Sequence, residues 1–141
     1  MTLTCAFCAI IDGGDVDAVV VHRTNEAVSF LPLNPASPGH TLVVPAVHVP
    51  DFLDLPEEVA QSMTAAVLRV SRAVRDAVSP EGMNLITSAG EAASQSVFHL
   101  HVHIVPRWSG DRIGDIWPRH EGSDREAQNV LAARIRKAIV E

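Results

Sequence analysis

Short apolar runs rich in β-branched residues recur along the first third of the chain, divided by turn formers, and they predict strands. Ala18 to Arg23 is the first, following the turn signal Gly13-Gly14-Asp15. Thr24-Asn25-Glu26 predicts a reversal into a second strand, Ala27 to Leu31, so the pair makes a hairpin. Three prolines and a glycine stiffen the loop from Pro32 to Gly39 and deliver the chain to a third strand, His40 to Pro45. Pro45 lacks an N–H and marks a strand end or bulge.

The period then changes. Asp54-Leu55-Pro56-Glu57 predicts a helix start, with Asp54 as cap, proline in the first turn and acidic residues at the positive end of the dipole. Val59, Met63, Val67, Val70, Val74 and Val78 recur every three or four residues and predict one apolar face of a helix about twenty residues long. Ser79-Pro80-Glu81-Gly82 stops it, Met83 to Thr87 predicts a fourth strand, and Ser88 to Ser96 is a small, polar loop. Beyond Pro106 the stretch from Arg107 to Gly122 is irregular, with Arg107 read as a solvated charge. Ser123-Asp124-Arg125-Glu126 has the pattern of a capping box ahead of a final helix, whose Ala127, Leu131, Ile135 and Ile139 share one face.

The fifth strand carries the chemistry. Phe98 to Pro106 holds three of the seven histidines, at every second position. In an extended chain His99, His101 and His103 project from one side, while Leu100, Val102 and Ile104 project from the other. Three packed rings on one face would each need a polar partner, so packing alone is a poor explanation of the pattern. Imidazoles with a pKa near neutrality supply a metal ligand, a nucleophile or a proton relay. The polar loop before them offers backbone N–H groups that can face an oxyanion.

Composition narrows the class. With 141 residues, 47% hydrophobic and 20% charged, the chain has the length and balance of one globular domain, 1–141. No apolar run is long enough to span a bilayer and no basic-then-apolar leader is evident, so a cytoplasmic location is expected. A formal charge of -6 with a single lysine, Lys137, argues against a nucleic-acid partner. A phosphorylated small molecule stays open, because a pocket of N–H groups binds anions on an acidic protein.

Cys5 and Cys8 are spaced C-x-x-C. A redox pair of that spacing usually follows a strand, and none precedes these, which favours zinc. Four ligands are then needed, with His48 and one member of the strand trio as candidates. In the competing arrangement the trio itself holds a catalytic zinc, which leaves the cysteines unexplained.

Taken together these stretches resemble the histidine triad (HIT) family, defined by His-φ-His-φ-His-φ-φ, here His99 to Val105. The similarity extends to Cys5-Ala6-Phe7-Cys8, to Gly39 to Pro45 with His48, to Gln95-Ser96-Val97 and to Trp117. The resemblance implies an α+β fold with a five-stranded antiparallel sheet, one long helix and a C-terminal helix, the sheets of two protomers joining in a homodimer. It implies transfer of a nucleoside monophosphate from a purine nucleotide, a phosphoramidate or dinucleoside polyphosphate, onto His101, with His103 assisting near the phosphate. It further implies a structural zinc on Cys5, Cys8, His48 and His99, with Gln95 and Ser96 near the phosphate and leaving group and His40 near the triad.

The chain departs from the family pattern at three positions. Pro32 stands where the family usually has Asp or Asn for the ribose, with Asn34 as the nearest substitute. Ser88 replaces a phosphate-binding Asn, and Ser94 replaces the glycine before Gln95. The other reading that these changes motivate is a nucleotide-binding module without turnover.

Overall fold

A computed structural model of the chain describes residues 5–141. Five strands form one antiparallel sheet: β1 (Val19–Arg23), β2 (Ala27–Leu31), β3 (Thr41–Pro45), β4 (Gly82–Ile86) and β5 (Val102–Arg107). Their spatial order is β1-β2-β3-β5-β4, so β5 is an interior strand between β3 and β4, and β1 and β4 are the edges. Three helices accompany the sheet: α1 (Ala6–Ile11), α2 (Glu57–Val78) and α3 (Arg125–Ala138).

Side chains on successive strand positions separate into two cores. Ala27, Val43 and Ile104 face α2, where they meet Met63, Ala66, Val67, Val70 and Val74 from its apolar stripe. Val28, Phe30, Leu42 and Val44 face the other way, against Phe7 and Ile10 of α1. Register then assigns the histidines: Val102 lies beside Val43 on the α2 side, and His103 lies beside Leu42 on the opposite side. The sheet therefore uses one face for packing under α2 and lends the other to α1 and the imidazoles.

The fold class expected from the sequence is the one observed, and several boundaries differ for physical reasons. The histidine strand begins at Val102, not Phe98. Continuing the β3–β5 ladder past Val43 and Val102 would bring it to Pro45, which has no N–H to offer. The chain splays there instead, and the Leu100 N–H donates to Val49 O at 2.7 Å. Asp54 does not cap α2. It lies in a 3-10 turn (Phe52–Asp54) capped by Asp51, whose carboxylate accepts from the Leu53 N–H at 2.8 Å. Pro56 keeps Leu55 extended and takes the N-cap position itself. At the other end α2 stops at Ser79 in a left-handed conformation, φ 48°.

Two differences concern the chain ends. A helix over residues 6–11 was not expected, because six residues are too few to display a period. The last helix is capped by Asp124, not Ser123: its carboxylate accepts from the Glu126 N–H at 2.9 Å. No residue of α3 is buried, so its apolar positions Leu131 and Ile135 remain exposed, as does Ile139 at its C-cap. No helix among the described residues is long and apolar enough to cross a membrane.

Candidate functional site

The splayed chain before β5 is what separates the three histidines into different surroundings. His99 is fully buried and turns its ring toward α1 and the connection after β3. There Cys5 Sγ, Cys8 Sγ, His48 and His99 gather, with donor atoms all within 4.8 Å of one another. His99 Nδ1 lies 3.6 Å from each sulfur and 3.0 Å from His48 Nδ1, while Cys8 Sγ lies 3.3 Å from His48 Nδ1. His99 Nε2 donates its proton to Pro45 O at 3.0 Å, which leaves the Nδ1 lone pair facing the sulfurs. Burial lowers the His99 pKa and keeps the ring neutral, as a ligand must be. Two sulfurs and two imidazole nitrogens at this spacing fit a tetrahedral zinc ion. Burial and the neighbouring Cys5 raise the Cys8 thiol, and a dication between them would reverse that effect.

His101 belongs to a different arrangement. Its ring is half-buried, and its Nδ1 donates to the His99 carbonyl oxygen at 2.8 Å. That bond places the proton on Nδ1 and leaves Nε2 with a free lone pair. Neither His101 nor His103 belongs to the metal cluster, so the trio does not hold one ion between its three rings.

His103 completes a chain of hydrogen bonds. The Ala36 N–H donates to His40 Nδ1 at 2.9 Å, so His40 carries its proton on Nε2 and gives it to His103 Nδ1, also at 2.9 Å. A neutral His103 therefore presents an N–H at Nε2. Burial, reinforced by the neighbouring His101 and His40, lowers the His103 pKa to about 4, and burial lowers that of His40. The rings of His101 and His103 stand 4.9 Å apart. One lone pair and one N–H thus meet side by side, with no hydrogen-bond partner for either Nε2 among the described residues.

The remaining sequence candidates are distributed less evenly. Gln95 is buried with its amide committed: Oε1 accepts from the Gly90 N–H at 2.8 Å, and Nε2 donates to Pro50 O at 2.6 Å and Val97 O at 3.1 Å. Both of its N–H groups hold the loop, which bears two left-handed residues, Gly90 (φ 92°) and Ser94 (φ 70°). Ser96 is exposed and lines a groove of about 940 Å³ along α1, beside Cys5, Cys8 and His48. Ser88 is half-buried and Asn34 exposed, and neither side chain makes a hydrogen bond among the described residues.

Several supporting groups were not evident in the sequence. Phe7, between the two cysteines, packs on His101 with centroids 5.1 Å apart and planes at 84°. The Thr87 hydroxyl donates to His101 O at 2.8 Å, extending β4's hold past the end of β5. Arg107 is a clamp, not a solvated charge: it binds both Asp111 carboxylate oxygens at 2.7 and 3.0 Å and Asn84 Oδ1 at 2.7 Å. Asp111 is held well below the usual carboxylate range by that pairing. Cys5-Ala6-Phe7-Cys8 carried one signal for Phe7, an aromatic flanked by two ligands; nothing local marked Thr87.

An antiparallel five-stranded sheet with a dissected histidine trio and a Cys2His2 cluster defines a class of histidine-triad protein. A family model described as HIT domain matches residues 14–110. The chain is 39% identical over 132 residues to "Protein hit" of Bacillus subtilis, covering 92% of this chain and 90% of that one. It is 35% identical over 107 residues to "Adenylylsulfatase HINT3" of Arabidopsis thaliana, covering 76% of this chain and 54% of that one. The crystal structure of a HIT family member from Bacillus subtilis superposes with a TM-score of 0.90 at 34% identity, covering 99% of each chain. A zinc-bound histidine triad family protein from Mycobacterium smegmatis superposes with a TM-score of 0.68 at 35% identity, covering 96% of this chain and 98% of that one. The chain belongs to the HIT family.

Proposed function

We propose that this chain is a nucleotide hydrolase or transferase that acts at the α-phosphorus of a purine nucleotide, a phosphoramidate or a dinucleoside polyphosphate, through a nucleotidyl-His101 intermediate. The observation that carries the reading is the bond from His101 Nδ1 to the His99 carbonyl, which commits one nitrogen and frees the other. His101 Nε2 forms the new P–N bond while the bond from phosphorus to the leaving group breaks, its electron pair departing with that group. The leaving group takes a proton from water, and the positive charge left on the ring is held by the His99 carbonyl. Water then attacks phosphorus and gives up a proton to the hydroxide left by the first step, the P–N bond breaks, the lone pair returns to Nε2, and a nucleoside monophosphate is released.

His103 supports this step as a neutral donor. A ring held uncharged by burial can still give its Nε2–H to a phosphate oxygen, and His40 keeps that proton on the outward nitrogen. Cys5, Cys8, His48 and His99 are the residues that would hold zinc, which when bound supplies a cross-link between α1, the connection after β3 and the triad. The named activity of the plant relative, an adenylylsulfatase, supports chemistry at an adenylyl phosphorus. We assign the chain to homodimers as well, joined along β4.

An acid-quenched reaction with a slow adenosine phosphoramidate tests the reading. Intact-mass and peptide mapping are expected to find the added nucleotide on His101, and His101→Ala is expected to form no adduct and turn nothing over. An active alanine variant would overturn the role of His101. Calorimetric binding of AMP with no turnover of any adenosine phosphoramidate would favour the second reading, a binding module, which Pro32 and Ser88 motivate.

A further inference from the structure

We propose that Phe7 is a positioning residue for His101, and that the metal cluster acts on turnover only through Phe7 and the backbone of His99. The inference rests on His101 being the nucleophile, and its test also has a readout independent of that role. The χ2 torsion of a histidine is broad, so an imidazole is not aimed by its own rotamer. His101 has a hydrogen bond at Nδ1 to His99 O, 2.8 Å, and two rings packed against it. Phe7 stands at 5.1 Å with its plane at 84°, and His103 at 4.9 Å with its plane at 70°. Phe7 is itself fixed, only 8% exposed and packed on Phe30 at 5.3 Å and His99 at 6.0 Å. A ring packed edge-on at 5.1 Å limits how far the His101 imidazole can rotate away from the carbonyl.

What holds Phe7 is the second half of the argument. It sits on a helix of six residues, Ala6–Ile11, well below the roughly 12–15 at which a helix stands alone in water. Besides the packing of Phe7 and Ile10 on the sheet, that helix is anchored by Cys5 on one side of Phe7, Cys8 on the other, and Arg23. The Arg23 guanidinium donates to the carbonyls of Ile10 and Ile11, the last ones of the helix. His99 meanwhile gives its ring to the cluster and its carbonyl to His101. Metal ligation and nucleophile orientation therefore share two mechanical links, and neither passes charge to the substrate.

Long-range proton–nitrogen NMR on histidine-labelled full-length protein at neutral pH reads which His101 nitrogen bears the proton. The expected result is a single Nδ1–H form in the zinc-loaded wild type and a mixture in Phe7→Leu and in the chelator-stripped wild type. Steady-state kinetics should show kcat lowered on the order of 10-fold in Phe7→Leu, within the ~10²-fold that a 1 Å misplacement costs, with KM changed less than about twofold. Stripping the metal from Phe7→Leu should cost less in kcat than stripping the wild type, because the Phe7 link is already lost and only the His99 link remains to be removed. Cobalt-substituted Phe7→Leu should keep the wild-type thiolate absorption, and Phe7→Met serves if the leucine variant fails to fold. An unchanged tautomer and kcat in the variant, or losses that multiply, would overturn the inference. A tautomer that responds to Phe7 while no adduct forms on His101 would refute the nucleophile alone and leave the positioning role standing.

Discussion

His99 and His101 are two residues apart and chemically identical, yet one gathers with two cysteines and His48 in a candidate metal cluster and the other keeps a free Nε2. The difference lies in which nitrogen a backbone carbonyl takes. Pro45 O claims the Nε2 proton of His99 and turns Nδ1 toward the cysteines. His99 O claims the Nδ1 proton of His101 and leaves Nε2 without a hydrogen-bond partner among the described residues. The carbonyl decides the tautomer, and the tautomer decides the chemistry. Both bonds depend on the chain leaving the sheet before Val102, which Pro45 brings about by ending the ladder.

Opposite substitutions should separate the two ends. His101→Ala is expected to lower turnover by several orders of magnitude while leaving zinc content and the melting temperature close to wild type. His48→Ala should do the reverse, releasing zinc and lowering the melting temperature by roughly 10 °C or more, with turnover reduced far less, as metal analysis and calorimetry would show. If both variants lost metal and activity together, the distinction between the two histidines would fail.

Acid sharpens the same contrast at the far end of the trio. His103 is held neutral with a pKa lowered to about 4, against an ordinary value of 6.5. Between those values the unfolded chain binds the proton that the folded chain refuses, so the stability associated with this burial is present above pH 6.5 and lost as pH falls toward 4. Thermal unfolding across that window should be steeper in pH for the wild type than for His103→Gln; equal slopes would assign the acid sensitivity elsewhere. The smallest effect is expected at Ser94, a non-glycine at φ 70° in the loop that Gln95 ties down. Ser94→Gly should stabilise by about 0.5–1 kcal/mol, read from urea midpoints, with little change in turnover.

Much of this architecture could be read from the sequence. The period of α2 was visible in Val59 to Val78 because the helix is long and one-sided. The strands were visible because β-branched runs end at turn residues. The cluster of Cys5, Cys8, His48 and His99 followed from family resemblance, and the geometry brings all four together. Interactions that join distant segments through backbone atoms were hidden. The bond from Thr87 to the His101 carbonyl spans 14 positions and the one from Gln95 to the Pro50 carbonyl spans 45, and no local pattern encodes either. Arg107 was misread for a related reason, since its partners Asn84 and Asp111 come from a neighbouring strand and the following turn. The final helix was legible as a helix from its cap and stripe, but a stripe does not reveal whether anything lies against it.

The two margins of the sheet are unlike. Along β1 the pairing slips between Val20 and His22, a kink that spoils the straight row of donors and acceptors another strand would need. β4 pairs with β5 at every position from Gly82 to Ile86 with no slip in register. A second copy meeting this one at β4 by two-fold symmetry would yield ten strands whose outermost members are both kinked, so that association ends at two and cannot run on into a fibre.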